Sequence, residues 1–377
     1  MKLLFAAILT AIFLFSCSAF AADKGTFSTE PTLNQGKKWR IGYYEGGEYY
    51  DYKGWFIATI AGLMDTGWIE KATIPIDEGE YTTAVWNWLA TNMKSDYIAF
   101  VKDAHYSAKW DDKLRAQMTE EIIERLNNQK DIDLMLAFGT WAGKDLANNR
   151  HSTPTLVLSA SDAVGAGIIK SIEDSGFDHI NAHVDPSLYE RQILIFHDVI
   201  NFKKLGVAYE NTVNGKSYAA IDTINKIAKK KGFKVVSCFT QSDIADQDAA
   251  GASVLKCMEK LCGEVDAVYV TQQGGVNSKT IPQIVDIANK NRIPTFSQSG
   301  SQEVQAGLFM SISNSGFKYV GQFHASLIAK VFNGAKPGQL DQVFEGPPKV
   351  AINLKTAQLI GFDPPMVLLG ATDEIYK

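Results

Sequence analysis

Two successive series of short apolar runs, each run followed by a helical pattern, restrict this sequence more than any other feature. In the first series, runs rich in Val, Ile, Leu and Tyr at residues 40–44, 73–76, 97–101, 134–138 and 155–158 alternate with helical patterns at 55–64, 82–93 and 113–127. A second series begins near Pro186, with helical patterns at 187–200, 217–231, 249–261 and 280–289 and runs at 204–209, 234–239, 267–271 and 294–297. Alternation of this kind calls for a parallel sheet covered by helices on both faces. Each series is long enough for its own sheet, and 377 residues exceed what one core serves. The expected fold is therefore α/β, with two doubly wound parallel-sheet lobes. No repeat or low-complexity tract interrupts them. Two strands (308–313 and 350–354) and one amphipathic helix (317–332) remain, and these must extend the existing sheets. The chain is then expected to cross between lobes near Asn181, Ser313 and Val350. That assigns 38–182 plus 314–345 to the first lobe and 183–313 plus 346–377 to the second. Several crossing strands make a hinge, and hinged lobes enclose a cleft.

The N-terminus bears on compartment. Lys2, the apolar residues 3–15 and Ala19-Phe20-Ala21 form a secretory signal over residues 1–21, with cleavage before Ala22 and a periplasmic mature chain. The apolar run is short of the roughly 20 residues a membrane span needs. Leu14-Phe15-Ser16-Cys17 offers the alternative of a lipid anchor on Cys17, although Phe15 suits that pattern poorly. A net charge of −5 argues against nucleic acid or anionic lipid as a partner. Beyond the leader stand Cys238, Cys257 and Cys262, enough for one internal bridge. Cys257 and Cys262 point to different helix faces unless Gly263 ends the helix, so buried small side chains are favoured over a bridge.

Ligands of open α/β sheets sit beyond the carboxyl ends of the strands. That rule selects Tyr43, Tyr44 and Glu45 after the first strand, followed by the aromatic stretch Tyr49, Tyr50, Tyr52 and Trp55. Gly139-Thr140-Trp141 opens a helix whose free N–H groups suit a carboxylate. It does not make a phosphate loop, because Asp145 follows Lys144 where Ser or Thr is required. Ser159, Ser161 and Asp162 end the next strand. In the second lobe the matching positions are Glu210, Asn211, Gln272, Gln273 and Ser297. The expected ligand is a small zwitterion. Its carboxylate would meet Thr140 and Trp141 beside Ser159 or Ser161, its ammonium Glu210 or Asp162 with Glu45 as a rival, and its body Tyr43, Tyr44 or Trp141. No G-x-S-x-G elbow appears. His179 and His183 lie on a strand pattern without the helical spacing of a zinc pair. No cofactor, metal or catalytic residue is expected.

Several segments together resemble the tryptophan/tyrosine-type family of ABC transporter substrate-binding proteins. They are 133–140 (DLMLAFGT), 154–171 (PTLVLSASDAVGAGIIKS), 266–270, 293–296, 306–308 and, most specifically, 350–365 (VAINLKTAQLIGFDPP), which is similar to the family's closing Asn-x-x-x-Ala-x-x-x-Gly-x-x-x-Pro pattern. The resemblance runs from about residue 38 to 375. It implies the type I periplasmic-binding fold, an amino acid ligand, a membrane permease of an importer as partner and a monomer. The Tyr-rich stretch agrees with an aromatic ligand. The sequence departs from the family at 181–184 (NAHV) and 272–275 (QQGG), and residues 96–112 look like an addition. These lie where ligand contacts are expected. A soluble sensor for a membrane receptor, or an exported enzyme of similar fold, is the alternative.

Overall fold

The run WRIGYYE forms β1 (Trp39–Glu45), whose last five residues are buried. A strand buried on both faces belongs in the middle of a sheet. In the computed structural model, which describes residues 26–75, 81–314 and 316–377, β1 pairs in parallel with β2 (Ile98–Ser107) and β3 (Leu134–Phe138). The sheet continues through β4 (Thr155–Leu158) to β5 (Ile180–Ala182), giving the order β2-β1-β3-β4-β5. Helices α1 (Tyr50–Asp65), α2 (Thr82–Asn92), α3 (Asp112–Asn128) and α4 (Gly139–Leu146) complete this lobe. The strand expected at 73–76 does not form over 73–75, and Ile76 lies outside the described residues. Pro75 has no N–H to give a ladder, and the ten-residue β2 takes the place beside β1 instead.

The second lobe is built from α5 (Leu188–Ile200), β6 (Lys204–Tyr209), α6 (Val213–Tyr218), α7 (Ile221–Lys231), β7 (Lys234–Phe239), α8 (Gln247–Cys262), β8 (Ala267–Val270), α9 (Ile281–Lys290), β9 (Thr295–Ser297), α10 (Ser301–Gln305) and β10 (Met310–Asn314). The helix expected over 217–231 is two helices, because Ala220 between them turns left-handed at φ 51°. After β10 comes α11 (Gly316–Phe332), then β11 (Pro348–Asn353), α12 (Leu354–Ile360), α13 (Met366–Gly370) and β12 (Glu374–Tyr376). The second sheet has the order β12-β11-β10-β9-β8-β6-β7. It is parallel except where β11 runs antiparallel to β10. Cys238 of β7 and Cys257 of α8 form a disulfide, leaving Cys262 as a buried thiol. This corrects the reading of three unbridged cysteines: Cys238 finds its partner on the helix that packs over its strand, a pairing that chain spacing does not display.

Three chain segments join the lobes: 183–187 between β5 and α5, the step from β10 to α11, and the return before β11. Val184 and Val343 bridge two of these segments. His183 and His324 meet in the same region at 3.3 Å, and Thr59 holds the far nitrogen of His324 at 3.0 Å. Residues 1–21, expected to be a secretory signal, and with them Cys17, lie outside the described residues. Among the described residues no helix is long and apolar enough to cross a membrane.

Helix α11 leaves the second sheet and packs along α1, and two glycines let the backbones touch. A Cβ on Gly62 would sit 2.6 Å from the Gly321 carbonyl oxygen, and one on Gly321 would run into the Ala58 carbonyl. Neither obstacle is a flexible side chain, so the helices would have to separate. Gly321→Ala should therefore cost about 1–3 kcal/mol, read as a lower urea midpoint at unchanged slope. An unaltered midpoint would mean that the seam is looser than this.

Candidate functional site

The lobes face each other across the carboxyl ends of both sheets and touch directly. Trp141 Nε1 donates to Asp243 Oδ2 at 3.0 Å, Lys144 Nζ to Asn214 Oδ1 at 3.1 Å, and Ser161 Oγ to Gln272 Oε1 at 3.1 Å. Ser217 Oγ donates to the Asp162 carbonyl at 3.1 Å. Between these contacts and the hinge lies a cavity of about 390 Å³, within the range of about 300–1,000 Å³ typical of ligand pockets. The first lobe contributes Asp51, Trp55 and Ser159 to Ser161, and the second Tyr189, Gln298 and Glu303. A smaller chamber of about 50 Å³ adjoins it, sharing Ser159, Ser161 and Gln272 and reaching Tyr49, Tyr52, Thr140 and Trp141.

The inner chamber is held from behind. Trp141 is 4% exposed; the Arg115 guanidinium lies 4.3 Å from its ring centre, and Trp110 meets it edge-on at 5.3 Å. Asp145 on α4 takes the Arg115 fork at 2.7 Å and the Tyr44 hydroxyl at 2.7 Å, so α4 is fixed to α3 and β1. Gly139 opens α4 at φ +81°, and a Cβ there would run into the Tyr52 hydroxyl. Opposite Trp141, burial pushes the Asp243 carboxyl up to about 6; the nearby Glu210 charge adds to this, while the bonds from Trp141 and Ser242 oppose it.

The strand-end positions divide. Thr140, Trp141, Ser159, Ser161, Gln272 and Gln273 line the two chambers. Tyr43, Tyr44 and Glu45 do not: all three are fully buried within the first lobe. Tyr43 packs between Phe56, His105 and Phe138, and donates to Glu45 Oε2 at 2.8 Å. They are the last residues of β1 itself, still covered on both faces, whereas the first residues after this strand that line a chamber are Tyr49 and Asp51. Asp162 is committed to its own turn, accepting from the Gly165 amide at 2.7 Å. Glu210 accepts from the Asp243 amide at 3.3 Å and lines neither chamber, and Asn211 is exposed. Ser297 is fully buried and acts one step back, donating to Glu303 at 2.5 Å. Asp51, Asp243 and Glu303 were not anticipated. Asp51 had a signal, since it stands four residues before Trp55 and so shares a helix face with it.

A family model described as "ABC transporter substrate binding protein" matches residues 98–375, well over half of the chain. The chain belongs to the ABC transporter substrate-binding protein family. Proteins of this family bind small-molecule ligands outside the cell membrane and deliver them to a membrane permease; the family is one of ligand binders rather than enzymes. A tyrosine-binding protein of Clostridioides difficile (strain R20291) is 25% identical over 243 residues, 64% of this substrate-binding protein and 66% of that one, just under two thirds of its length. Among solved structures, an ABC domain from Streptococcus pneumonia in complex with L-Trp is 19% identical with a TM-score of 0.66, covering 89% of this chain and 99% of that one. A ligand-free, open substrate-binding protein from Clostridium difficile is 20% identical with a TM-score of 0.58, covering 90% and 99%. These structures share the fold, two parallel-sheet α/β lobes of the type I periplasmic-binding kind.

Proposed function

We propose that this substrate-binding protein is exported, captures an amino acid with an apolar or aromatic body in the cleft, closes about its hinge and presents the ligand to an importer. The observation that carries this reading is the cavity of about 390 Å³ walled by both lobes, because a ligand seated there touches both and stabilises the closed form. Trp55, Tyr189, Leu188 and Phe317 supply an apolar wall. Ser159, which also lines the cavity, is held at a left-handed φ of 58°, a strained conformation of the kind that gathers at ligand clamps. The Ala160 and Ser161 amides that follow enter no turn or loop hydrogen bond among the described residues, which suits a ligand carboxylate. The tyrosine-binding relative and the L-Trp complex point to the same ligand class.

The test is a thermal-shift and calorimetric screen of the exported chain against amino acids, sugars and nucleosides. A ligand at a hundred times its Kd adds about 2.7 kcal/mol of stability, so an aromatic amino acid should raise the transition by several degrees and quench tryptophan fluorescence. Trp141→Ala, which cuts the bond to Asp243 across the cleft, should weaken that ligand at least about tenfold. A response to sugars alone, or none to amino acids, would overturn the reading.

A further inference from the structure

The inner chamber of about 50 Å³ is lined by an acid that lacks a cation. Asp243, from the loop after β7, is partly exposed and faces the chamber from the second lobe. Among the described residues its carboxylate accepts from neutral groups alone, Trp141 Nε1 at 3.0 Å and Ser242 Oγ at 3.2 Å. Glu210 stands beside it, accepting from the Asp243 amide at 3.3 Å and from the Tyr218 hydroxyl at 3.5 Å. Arg115, whose charge reaches Asp243, is paired with Asp145 and lies over the Trp141 ring, and Lys144 is turned to Asn214. Tyr52 brings a second open group from the first lobe. It is 6% exposed and lines the chamber, and its hydroxyl lies against Gly139, where no side chain intervenes. Among the described residues no protein group hydrogen-bonds that hydroxyl, although buried polar groups regularly have partners. Trp110, Trp141 and Tyr218 add aromatic walls.

A carboxylate withdrawn from water without a cation is costly, and burial together with the Glu210 charge pushes the Asp243 carboxyl up to about 6. A positive charge in the chamber relieves both acids, and the aromatic walls favour it further. The start of α4 opposes it, but with about half a positive charge against two carboxylates. No cluster of three metal-ligating side chains is gathered among the described residues, so an organic cation fits better than a metal ion. A water molecule takes about 30 Å³ in the liquid. The chamber therefore admits a group of about that size, which a primary ammonium is and a trimethylated one is not.

We propose that the inner chamber is the subsite for the ligand's primary ammonium group, which donates to the Asp243 carboxylate of one lobe and to the Tyr52 hydroxyl oxygen of the other. The proposal rests on the reading of the cleft as an amino acid site and adds the groups that recognise the amine. An ammonium has three N–H donors, enough for both acceptors. The larger cavity adjoins the chamber at Ser159, Ser161 and Gln272. An amino acid seated at this junction keeps its carboxylate at the Ala160 and Ser161 amides, its amine in the chamber and its body in the cavity. Only the closed form brings Asp243 to Tyr52, so amine recognition and closure are one event.

The experiment is calorimetry on the full mature chain and on Asp243→Asn and Tyr52→Phe, using L-tyrosine, L-tryptophan and L-leucine, each against its counterpart lacking the amino group and its N-trimethyl form. The wild type should prefer the amino acid that it binds over the deaminated acid by at least about thirtyfold, the usual effect of losing a buried charge partner. The trimethylated form should bind no better than the deaminated one. Asparagine keeps an oxygen for Trp141, so in Asp243→Asn the contact between the lobes persists while the charge goes. This variant should lose most of the preference by weakening the amino acid while leaving the deaminated acid unchanged or tighter. Tyr52→Phe should lower the preference by about three- to tenfold, the effect of one neutral hydrogen bond, and thermal midpoints will show that both variants fold. If the preference is intact in Asp243→Asn, or the trimethylated form binds as tightly as its parent, the proposal is overturned while the amino acid reading stands. If the wild type binds no amino acid, both fall.

Discussion

Replacing Cys238 and Cys257 together with alanine should destabilise the second lobe by about 3 kcal/mol. The bridge spans 19 residues, and closing a loop near that length removes about 3 kcal/mol of denatured-state entropy. Its position adds to the case. β7 is the edge strand of the second sheet and pairs only with β6, so the bond to α8 is its second anchor. Cys257 and its neighbours Val254, Met258 and Leu261 are buried, and the helix stays packed while the strand loses its tether. The measurement is a thermal melt of wild type and variant, with and without reductant. The variant should melt on the order of 10 °C lower, and reductant should bring the wild type towards it. Hydrogen exchange should locate the loss in β7. Equal midpoints, with or without reductant, would remove the bridge from the account of stability. Bonds of this kind persist in oxidising compartments, which suits an exported chain.

The fold was legible where burial on both faces turns a strand into a continuous apolar run: LMLAF of β3, TLVL of β4 and KLGVAY of β6 each read directly. Residues 73–76 did not follow, because a strand-like apolar pattern around a proline cannot complete its ladder. The site was legible to the extent that strand ends make it. Thr140, Trp141, Ser159, Ser161, Gln272 and Gln273 follow from the sheet rule once the strands are placed. Tyr43, Tyr44 and Glu45 were misassigned because aromatic density at the end of the first strand was read as cleft wall, whereas all three belong to β1 itself and are buried inside the first lobe. Asp51 and Glu303 sit on helices rather than at strand ends, and a tertiary crossing brings them to one cavity. No local pattern links positions 51 and 303. Asp243 is similar, reaching the cleft from the loop after β7 to accept the bond from Trp141.

Glu45→Gln should flatten the pH dependence of stability, and the sign follows from where the carboxyl lies. Glu45 is fully buried, accepting from the Tyr43 hydroxyl and from Thr82 Oγ1, each at 2.8 Å, while Oε1 has no partner. Burial outweighs those bonds and pushes its carboxyl up from 4.5 to about 7. The folded chain then holds this proton more tightly than the unfolded chain does. Below about pH 4.5 both states keep it, and its stabilising effect is complete. As pH rises towards 7 the unfolded chain ionises first and the equilibrium moves towards it. Above about pH 7 the folded carboxylate ionises too, and the loss levels off at about 3 kcal/mol. Glutamine keeps an oxygen for Tyr43 and Thr82 and carries no charge, so it should lie within about 1 kcal/mol of the wild type at pH 5 and exceed it by up to about 3 kcal/mol at pH 8. Urea titrations of both proteins at pH 5, 6.5 and 8 measure the difference directly. Other raised acids, including Asp51 and Asp243, contribute equally to both proteins and cancel. Parallel stability curves would mean that Glu45 is ionised in the fold and that its burial is relieved by water reaching Oε1.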